Sequence, residues 1–365
     1  MMKKRINIWT NVLFVGFLCF VSIFNLFGKN KTFSDNENRF LQQFPTLSLK
    51  SIQKGEFSLK FELWVQDQFV FRDTWIMVNT AMNMAMGKIE NNNVYFGKDG
   101  YLIGRFFYDE YKKVDSNIES INNFKYPAYV MLIPSSAEVN KDKLPNFAYN
   151  SNQKVLEDYI VSKLQSQHTP ISISDALSNC QDCFYRTDHH WNLKGANVAY
   201  TSFIKALGDQ PIEYLFKEVS TNFKGTMLSK SGVFWNEPDH LQSVELLENL
   251  DVKVTIGEQE YDSLFFKNRL NEKDQYAYYL DGNHPIVNIE NRNNPDGNHL
   301  LVIKDSFAHA LVPMLVPHFH KITMIDLRYY KNSVSEYIQT ENINDIIVMY
   351  NMDNFVTDGN LIFLK

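Results

Sequence analysis

The 365-residue chain is long enough for two domains of ordinary size, or for one large α/β domain with additions. Hydrophobic residues make up 44% of the chain and charged residues 21%, which excludes a wholly disordered protein. The 42 acidic residues outnumber the 36 basic ones, and the formal net charge of −6 argues against a nucleic-acid-binding protein. Aromatic residues reach 14%, which fits either a large aromatic core with membrane-facing residues or an exposed surface that stacks on sugars.

The N-terminus predicts a single membrane anchor, residues 1–28. After the basic cluster Lys3-Lys4-Arg5, residues 6–28 are almost wholly apolar and reach the roughly 20 residues that a membrane-spanning helix needs. The basic cluster predicts a cytoplasmic N-terminus, with the remainder of the chain outside the cell. A cleaved signal peptide is the alternative. Its apolar region is usually about 7–15 residues long and ends in a small-x-small site, which this segment lacks.

Residues 29–93 are predicted to form a helical stem between the anchor and the main domain. Their central part, from Glu56 to Met86, shows the spacing of one long helix, with apolar residues largely on one stripe.

Of the three cysteines, Cys19 falls in the apolar segment, and Cys180 and Cys183 form the only pair outside it. A Cys-x-x-Cys pair in the cytoplasm would suggest metal or redox chemistry, but no second pair completes a zinc site. Outside the cell, we expect Cys180 and Cys183 to form a local disulfide that braces a loop.

Residues 94–365 are predicted to form an α/β domain with a parallel sheet and flanking helices. A hairpin at 94–103 and a buried strand at 128–133 come first, and a helix at 193–207 follows later. Residues 300–350 then alternate strand and helix as βαβαβ, which requires parallel strands. Between about 209 and 299 the pattern changes to turns and short strands, one of which is expected at YAYYL (276–280), and we interpret this region as an inserted antiparallel cap.

Ser306 is a candidate nucleophile. A fully apolar strand runs directly into Asp305 and Ser306, and a helix begins at once. This places the serine at the carboxyl end of a parallel strand, where open α/β sheets bind their ligands, and beside helix N–H groups that can stabilise an oxyanion. The simpler alternative is that Ser306 or Asp305 only caps the helix.

Asp188 and His190 are the candidate acid and base. Residues i and i+2 of an extended loop point the same way, so Asp188 and His190 are predicted to lie on one side while His189 points elsewhere. A serine nucleophile needs such a carboxylate-oriented imidazole. A metal site formed by Asp188, His189 and His190 is the less favoured alternative. His309 is expected on the surface of its helix.

These motifs resemble the DHHW protein family, which belongs with the alginate O-acetyltransferase-like, permuted branch of the SGNH hydrolase superfamily. The resemblance rests first on Asp188-His189-His190-Trp191 and on Asp305-Ser306-Phe307. It extends to further segments along the chain, namely 37–39, 67–72, 97–102, 223–225 and 282–283. It implies an SGNH-like fold with a Ser306–His190–Asp188 triad. It also implies an oxyanion hole formed by the Ser306 N–H, the Gly282 N–H and the Asn283 side chain.

The resemblance further implies a membrane-anchored, extracytoplasmic serine-dependent O-acetyltransferase that acts on a cell-surface polysaccharide. A membrane-bound O-acyltransferase would supply the acyl group, and no metal or other cofactor is expected. The same triad would give a carbohydrate O-acetylesterase if water replaced the sugar. A second alternative is a non-catalytic polysaccharide-binding scaffold that uses the aromatic side chains of Phe234 and Trp235.

Overall fold

The computed structural model describes residues 2–108 and 110–364, which form two compact units. One comprises Met1–Lys88 and Gly232–Trp235, and the other Ile89–Ser231 and Asn236–Lys365. The side chains of residues 2–7 and 26–27, which include the basic cluster Lys3-Lys4-Arg5, lie outside the described part, as do Met1, Asp109 and Lys365.

The first unit begins with a long apolar helix. Its elements are α1 (Met2–Phe27), β1 (Phe33–Ser34), β2 (Arg39–Phe40), α2 (Leu49–Gln53), α3 (Glu56–Asp67) and α4 (Arg72–Ala85). Within α1, the stretch Ile8–Asn25 has a mean hydropathy of 1.8 and is long enough to cross a membrane, a criterion that a signal sequence also meets.

The single long helix predicted from Glu56 to Met86 is wrong, because α3 and α4 are separated by a turn. Phe71 has a φ of 56° in this turn, a left-handed conformation that ends regular helix geometry. Ion pairs hold both sides of the break. The Asp67 carboxylate accepts from the Arg39 guanidinium at 2.9 Å, and Arg72 pairs with Glu37. A stripe of apolar residues cannot reveal this interruption, since its spacing continues across the turn.

The second unit contains thirteen strands and nine helices among its described residues. The strands are β3 (Glu90–Asn91), β4 (Val94–Phe96), β5 (Leu102–Gly104), β6 (Tyr129–Ile133), β7 (Thr169–Ile171), β8 (Phe216–Phe223), β9 (Asp239–Val244), β10 (Val252–Ile256), β11 (Gln259–Tyr261), β12 (Ile286–Asn291), β13 (His299–Lys304), β14 (Lys321–Ile325) and β15 (Asp345–Asn351). The helices are α5 (Lys112–Asn122), α6 (Ser136–Val139), α7 (Gln153–Lys163), α8 (Ser174–Ser178), α9 (Leu193–Ala206), α10 (Thr226–Ser231), α11 (Ala308–Leu315), α12 (Val334–Thr340) and α13 (Met352–Thr357).

Eight of these strands form one central sheet in the order β11-β10-β12-β14-β13-β15-β6-β7. Five neighbouring strands of this sheet are parallel, namely β14, β13, β15, β6 and β7, which confirms the predicted βαβαβ arrangement. The antiparallel strands predicted between 209 and 299 are present in two places. Strands β8 and β9 form a separate ribbon, whereas β10, β11 and β12 extend the central sheet. The segment YAYYL, expected as a strand, is a 3₁₀ helix at Gln275–Tyr278.

The central strand β13 is buried on both faces, as expected of a parallel strand covered by helices. Leu300 and Val302 pack into one hydrophobic core together with α9 and α11. Leu301 and Ile303 pack into the other core, together with α5, α7 and α12. Most of the largest fully buried side chains are aromatic, so the core accounts for part of the aromatic excess.

Candidate active site

Ser306 lies two residues beyond the end of the central strand β13, in the two-residue turn that precedes α11. The Asp305 carboxylate holds this turn, because it accepts the Phe307 N–H at 3.0 Å and the Asn351 N–H at 2.7 Å. It also accepts the Asn354 side-chain amide at 2.8 Å. Asp305 therefore takes the structural role in the turn, and the Ser306 hydroxyl is left to contact His190.

His190 bridges the serine and a carboxylate. Its Nε2 lies 2.8 Å from the Ser306 Oγ, and its Nδ1 lies 2.6 Å from the Asp188 Oδ1. The Asp188 oxygen accepts only, so Nδ1 carries the proton and Nε2 is left to accept the serine hydroxyl proton. The structure thus brings together the three residues predicted as a triad, and Asp188 and His190 share one side of the loop as predicted.

Asp188 is fully enclosed but remains a carboxylate. Burial alone would raise its pKa, yet the electrostatic influence of the neighbouring His189 and His190 imidazoles and a hydrogen bond from His190 lower it below the usual range. Its second oxygen accepts the N–H and the hydroxyl of Thr226, at 2.7 and 3.0 Å. The carboxylate is therefore fixed from two sides and can stabilise a charged imidazole.

Aromatic side chains fix the His190 ring. The Tyr276 ring stacks on it at 3.9 Å with an interplanar angle of 7°, and Phe307 lies 4.9 Å away. The fully buried Trp191 donates its indole N–H to the Phe307 carbonyl at 3.0 Å, which ties the His190 loop to the Ser306 turn. Nothing in the sequence singles out Tyr276, since the pattern of its segment predicts an ordinary short strand.

His189 does not point away from its neighbour as the sequence predicted. Its ring lies 3.8 Å from the His190 ring, and its Nδ1 lies 2.7 Å from the Thr226 hydroxyl. Loss of water around the ring and the charge of His190 lower the pKa of His189 to about 3. His189 is therefore neutral at physiological pH and adds no competing charge beside His190.

The atoms that would hold a metal, from Asp188, His189 and His190, lie within 4.8 Å of one another. However, both nitrogens of His190 are already engaged, one by Asp188 and the other by Ser306. A cation would have to displace one of these partners. The geometry therefore favours a proton relay over the metal-site alternative.

The three predicted oxyanion donors differ in their surroundings. The Ser306 N–H has no acceptor among the described residues. The Gly282 N–H donates to the Tyr279 carbonyl at 3.3 Å, and the Asn283 side-chain oxygen accepts from Arg328 at 3.1 Å. Within residues 2–108 and 110–364, neither Gly282 nor Asn283 is hydrogen-bonded to Ser306 or His190. The roles of Gly282 and Asn283 stay predictions.

A buried charged network lies behind the serine, and it corrects one expectation. His309 is only 1% exposed rather than on the helix surface, because every residue of α11 is buried. Its Nε2 lies 2.7 Å from the Lys304 ammonium, which also pairs with Asp326 at 3.2 Å. Asp326 in turn accepts from Arg328. Burial, followed by the charge of Lys304, lowers the pKa of His309, so it is a neutral acceptor here.

Cys180 and Cys183 are paired as a disulfide just before the His190 loop. The Cys183 carbonyl accepts the N–H of Asn192, the N-cap of α9. A Cβ on Gly195 would lie 2.6 Å from the same carbonyl, so the helix can approach the braced segment only with glycine there.

Comparison with known proteins places this geometry in context. A protein-family match described as DHHW protein covers residues 93–325, and no curated protein matches the chain. Among solved structures, a DHHW family protein from Eubacterium siraeum DSM 15702 is similar with a TM-score of 0.64 and 21% identity, over 75% of this chain and 96% of that one. Bacillus cereus PatB1, solved with a sulfonyl adduct, is similar with a TM-score of 0.62 and 24% identity, over 74% of this chain and 98% of that one. The O-acetyltransferase domain of Pseudomonas putida AlgJ has a TM-score of 0.43 and 12% identity, over 73% of this chain and 93% of that one.

Proposed function

The chain belongs to the DHHW protein family, and from this premise we propose that it is a serine-dependent O-acetyltransferase that modifies a cell-surface polysaccharide. The observation that carries the proposal is the pair of hydrogen bonds that joins Ser306 to His190 and His190 to Asp188. A structural role for these residues would not require the serine hydroxyl to lie against the histidine nitrogen that can accept its proton.

In the proposed first half-reaction, the Ser306 Oγ attacks the donor carbonyl and passes its proton to the His190 Nε2. Asp188 stabilises the resulting imidazolium. The tetrahedral oxyanion accepts a hydrogen bond from the Ser306 N–H, and Gly282 and Asn283 are the proposed further donors. The intermediate collapses to acetyl-serine, and the leaving group takes the proton from His190.

In the second half-reaction, a sugar hydroxyl attacks the acetyl-serine carbonyl and gives its proton to His190. The ester bond to Ser306 breaks, the proton returns to the serine oxygen, and the acetylated sugar leaves. Attack by water instead of the sugar would make the enzyme an esterase, so exclusion of water at this step decides between the two activities.

We further propose that residues 1–28 anchor the chain with a cytoplasmic N-terminus, that 29–93 form a stem, and that 94–365 act outside the cell. The apolar helix α1 supports the anchor. Activated acetyl donors such as acetyl-CoA are cytoplasmic, so an enzyme on the outer surface needs a relay. A membrane-bound O-acyltransferase partner is the proposed source of the acetyl group.

Ser306→Ala tests the proposal, with the exposed Ser116→Ala as the matched control. In cells, surface acetylation is expected to disappear with Ser306→Ala and to persist with Ser116→Ala. Unchanged acetylation in both variants would favour a non-catalytic scaffold. With the purified full chain in detergent, p-nitrophenyl acetate as donor and a sugar acceptor separate transfer from simple hydrolysis.

A further inference from the structure

A cavity of about 540 Å³ lies beside the proposed triad without being part of it. This volume is within the roughly 300–1,000 Å³ range of small-ligand sites. His189 lines the cavity and its ring contacts the His190 ring. Asn354 also lines it and donates to Asp305, the residue before Ser306. The cavity wall therefore contacts His190 and the residue that precedes Ser306.

The lining combines an apolar surface with polar groups that have no partner. Val94, Leu102 and Met227 supply the apolar part. Among the described residues, the Lys230 ammonium and the Asp353 carboxylate form no hydrogen bond or ion pair. Lys230 is exposed and Asp353 is partly buried, so both side chains are open to pairing with a ligand in the cavity.

A third unpartnered group, the Asn93 side chain, is held in place by the backbone. Asn92 and Asn93 form the turn between β3 and β4, with φ values of 50° and 60° that asparagine tolerates better than most residues. The Asn92 amide donates to the Lys230 carbonyl at 2.8 Å, which ties this turn to α10. The Asn93 amide is thus presented to the cavity from a fixed turn.

We propose that this cavity binds one sugar unit of the acceptor glycan, with Asn93, Lys230 and Asp353 pairing with its hydroxyl and carbonyl groups. The assignment rests on the proposed function and extends it to the acceptor. A pyranose ring presents an apolar C–H face and a rim of hydrogen-bonding groups, which matches this lining. An acetyl donor group is too small and too apolar to satisfy an amide, an ammonium and a carboxylate together.

The test measures binding of three probes to the full-length Ser306→Ala chain in detergent: an N-acetylglucosamine pentamer, a glucose pentamer and a mannuronate pentamer. At least one probe is expected to bind. In the same background, Asn93→Gly, which preserves the left-handed turn, and Asp353→Asn are each expected to weaken its binding about tenfold. The exposed Asp296→Asn is the matched control and is expected to bind as its parent does.

Binding of none of the probes, or equal binding by all the variants, overturns the cavity assignment. The same variants with Ser306 restored then separate the two proposals. Here the KM for the acceptor sugar is expected to rise, while the kcat/KM for p-nitrophenyl acetate changes much less. If the variants reduced kcat/KM for p-nitrophenyl acetate as much as they impaired use of the acceptor sugar, the cavity would instead be assigned to the acetyl donor. Probe binding without any acetyl transfer by the wild-type chain would retain the cavity and refute the transferase.

Discussion

Gly225 lies so close to Asp188 that a Cβ atom on residue 225 would be only 2.2 Å from the Asp188 Cβ. The adjacent Thr226 donates two hydrogen bonds to the same carboxylate. Glycine at 225 is therefore what allows the β8–α10 connection to approach and fix the acid of the proposed triad.

Gly225→Ala is expected to lower kcat/KM for p-nitrophenyl acetate by about 100-fold or more. The added methyl group must push Asp188 out of place, and the acid would then no longer orient His190. Gly359→Ala is the matched control, since a Cβ there has nothing within 4 Å. Similar losses in the two variants, or none in either, would contradict the role given to this contact.

Asp188→Asn is expected to lower kcat by about 10³–10⁴-fold while leaving the fold intact. An asparagine side chain can turn its amide toward the His190 Nδ1, which favours the wrong imidazole tautomer. Initial rates of ester hydrolysis measure the loss, and Asp296→Asn serves as control. A variant with more than a tenth of the wild-type rate would remove Asp188 from the mechanism.

Lys304→Met is expected to destabilise the protein by about 3–5 kcal/mol, because it leaves the buried Asp326 with one cation fewer. Arg328 still pairs with Asp326, so the value should lie near the lower end. Urea unfolding of the full chain in detergent measures the change. Lys253→Met breaks only a partly exposed pair with Glu260 and should cost less than about 1 kcal/mol. Equal losses of unfolding free energy in Lys304→Met and Lys253→Met would show that burial adds nothing to the stabilisation by the Lys304–Asp326 pair.

Asp353 predicts a pH dependence of stability. Burial raises its pKa to about 7 from 3.8, and the negative charge of Asp305 adds to the rise, while Lys230 opposes it. The folded state thus favours the protonated form, so this group's stability contribution is complete below about pH 4 and is lost as pH rises through about 7. Asp353→Asn should therefore raise Tm by a few degrees more at pH 8 than at pH 4.5. If the Tm difference between Asp353→Asn and the wild type were the same at both pH values, or larger at pH 4.5, Asp353 would not be in the environment described.

Local patterns predicted a large part of this molecule. The uninterrupted apolar strand at 300–303 and the strand–helix alternation after it were enough to predict parallel strands and the position of Ser306. The i, i+2 spacing of Asp188 and His190 was enough to predict that they share one side of their loop. Both inferences use periodicities that the backbone imposes on any sequence.

The partners contributed by distant segments were not predictable in the same way. Thr226 and Tyr276 are of ordinary residue types, and only the folded chain brings them to Asp188 and His190. The burial of His309 does have a signal in the sequence. Residues 308–316 are apolar almost all round the helix, which is typical of a buried helix rather than a surface one. The break before α4 had no glycine or proline to mark it.

The most direct test of the central claim is to trap the acyl-enzyme. The full-length chain is mixed with p-nitrophenyl acetate, quenched in acid, digested and analysed by mass spectrometry. We predict that one acetyl group is found on Ser306, that none is found there in Asp188→Asn after the same short mixing time, and that the label disappears when a sugar acceptor is added. Acetyl found on another residue, or transfer to the sugar with no labelling of Ser306, would contradict the account.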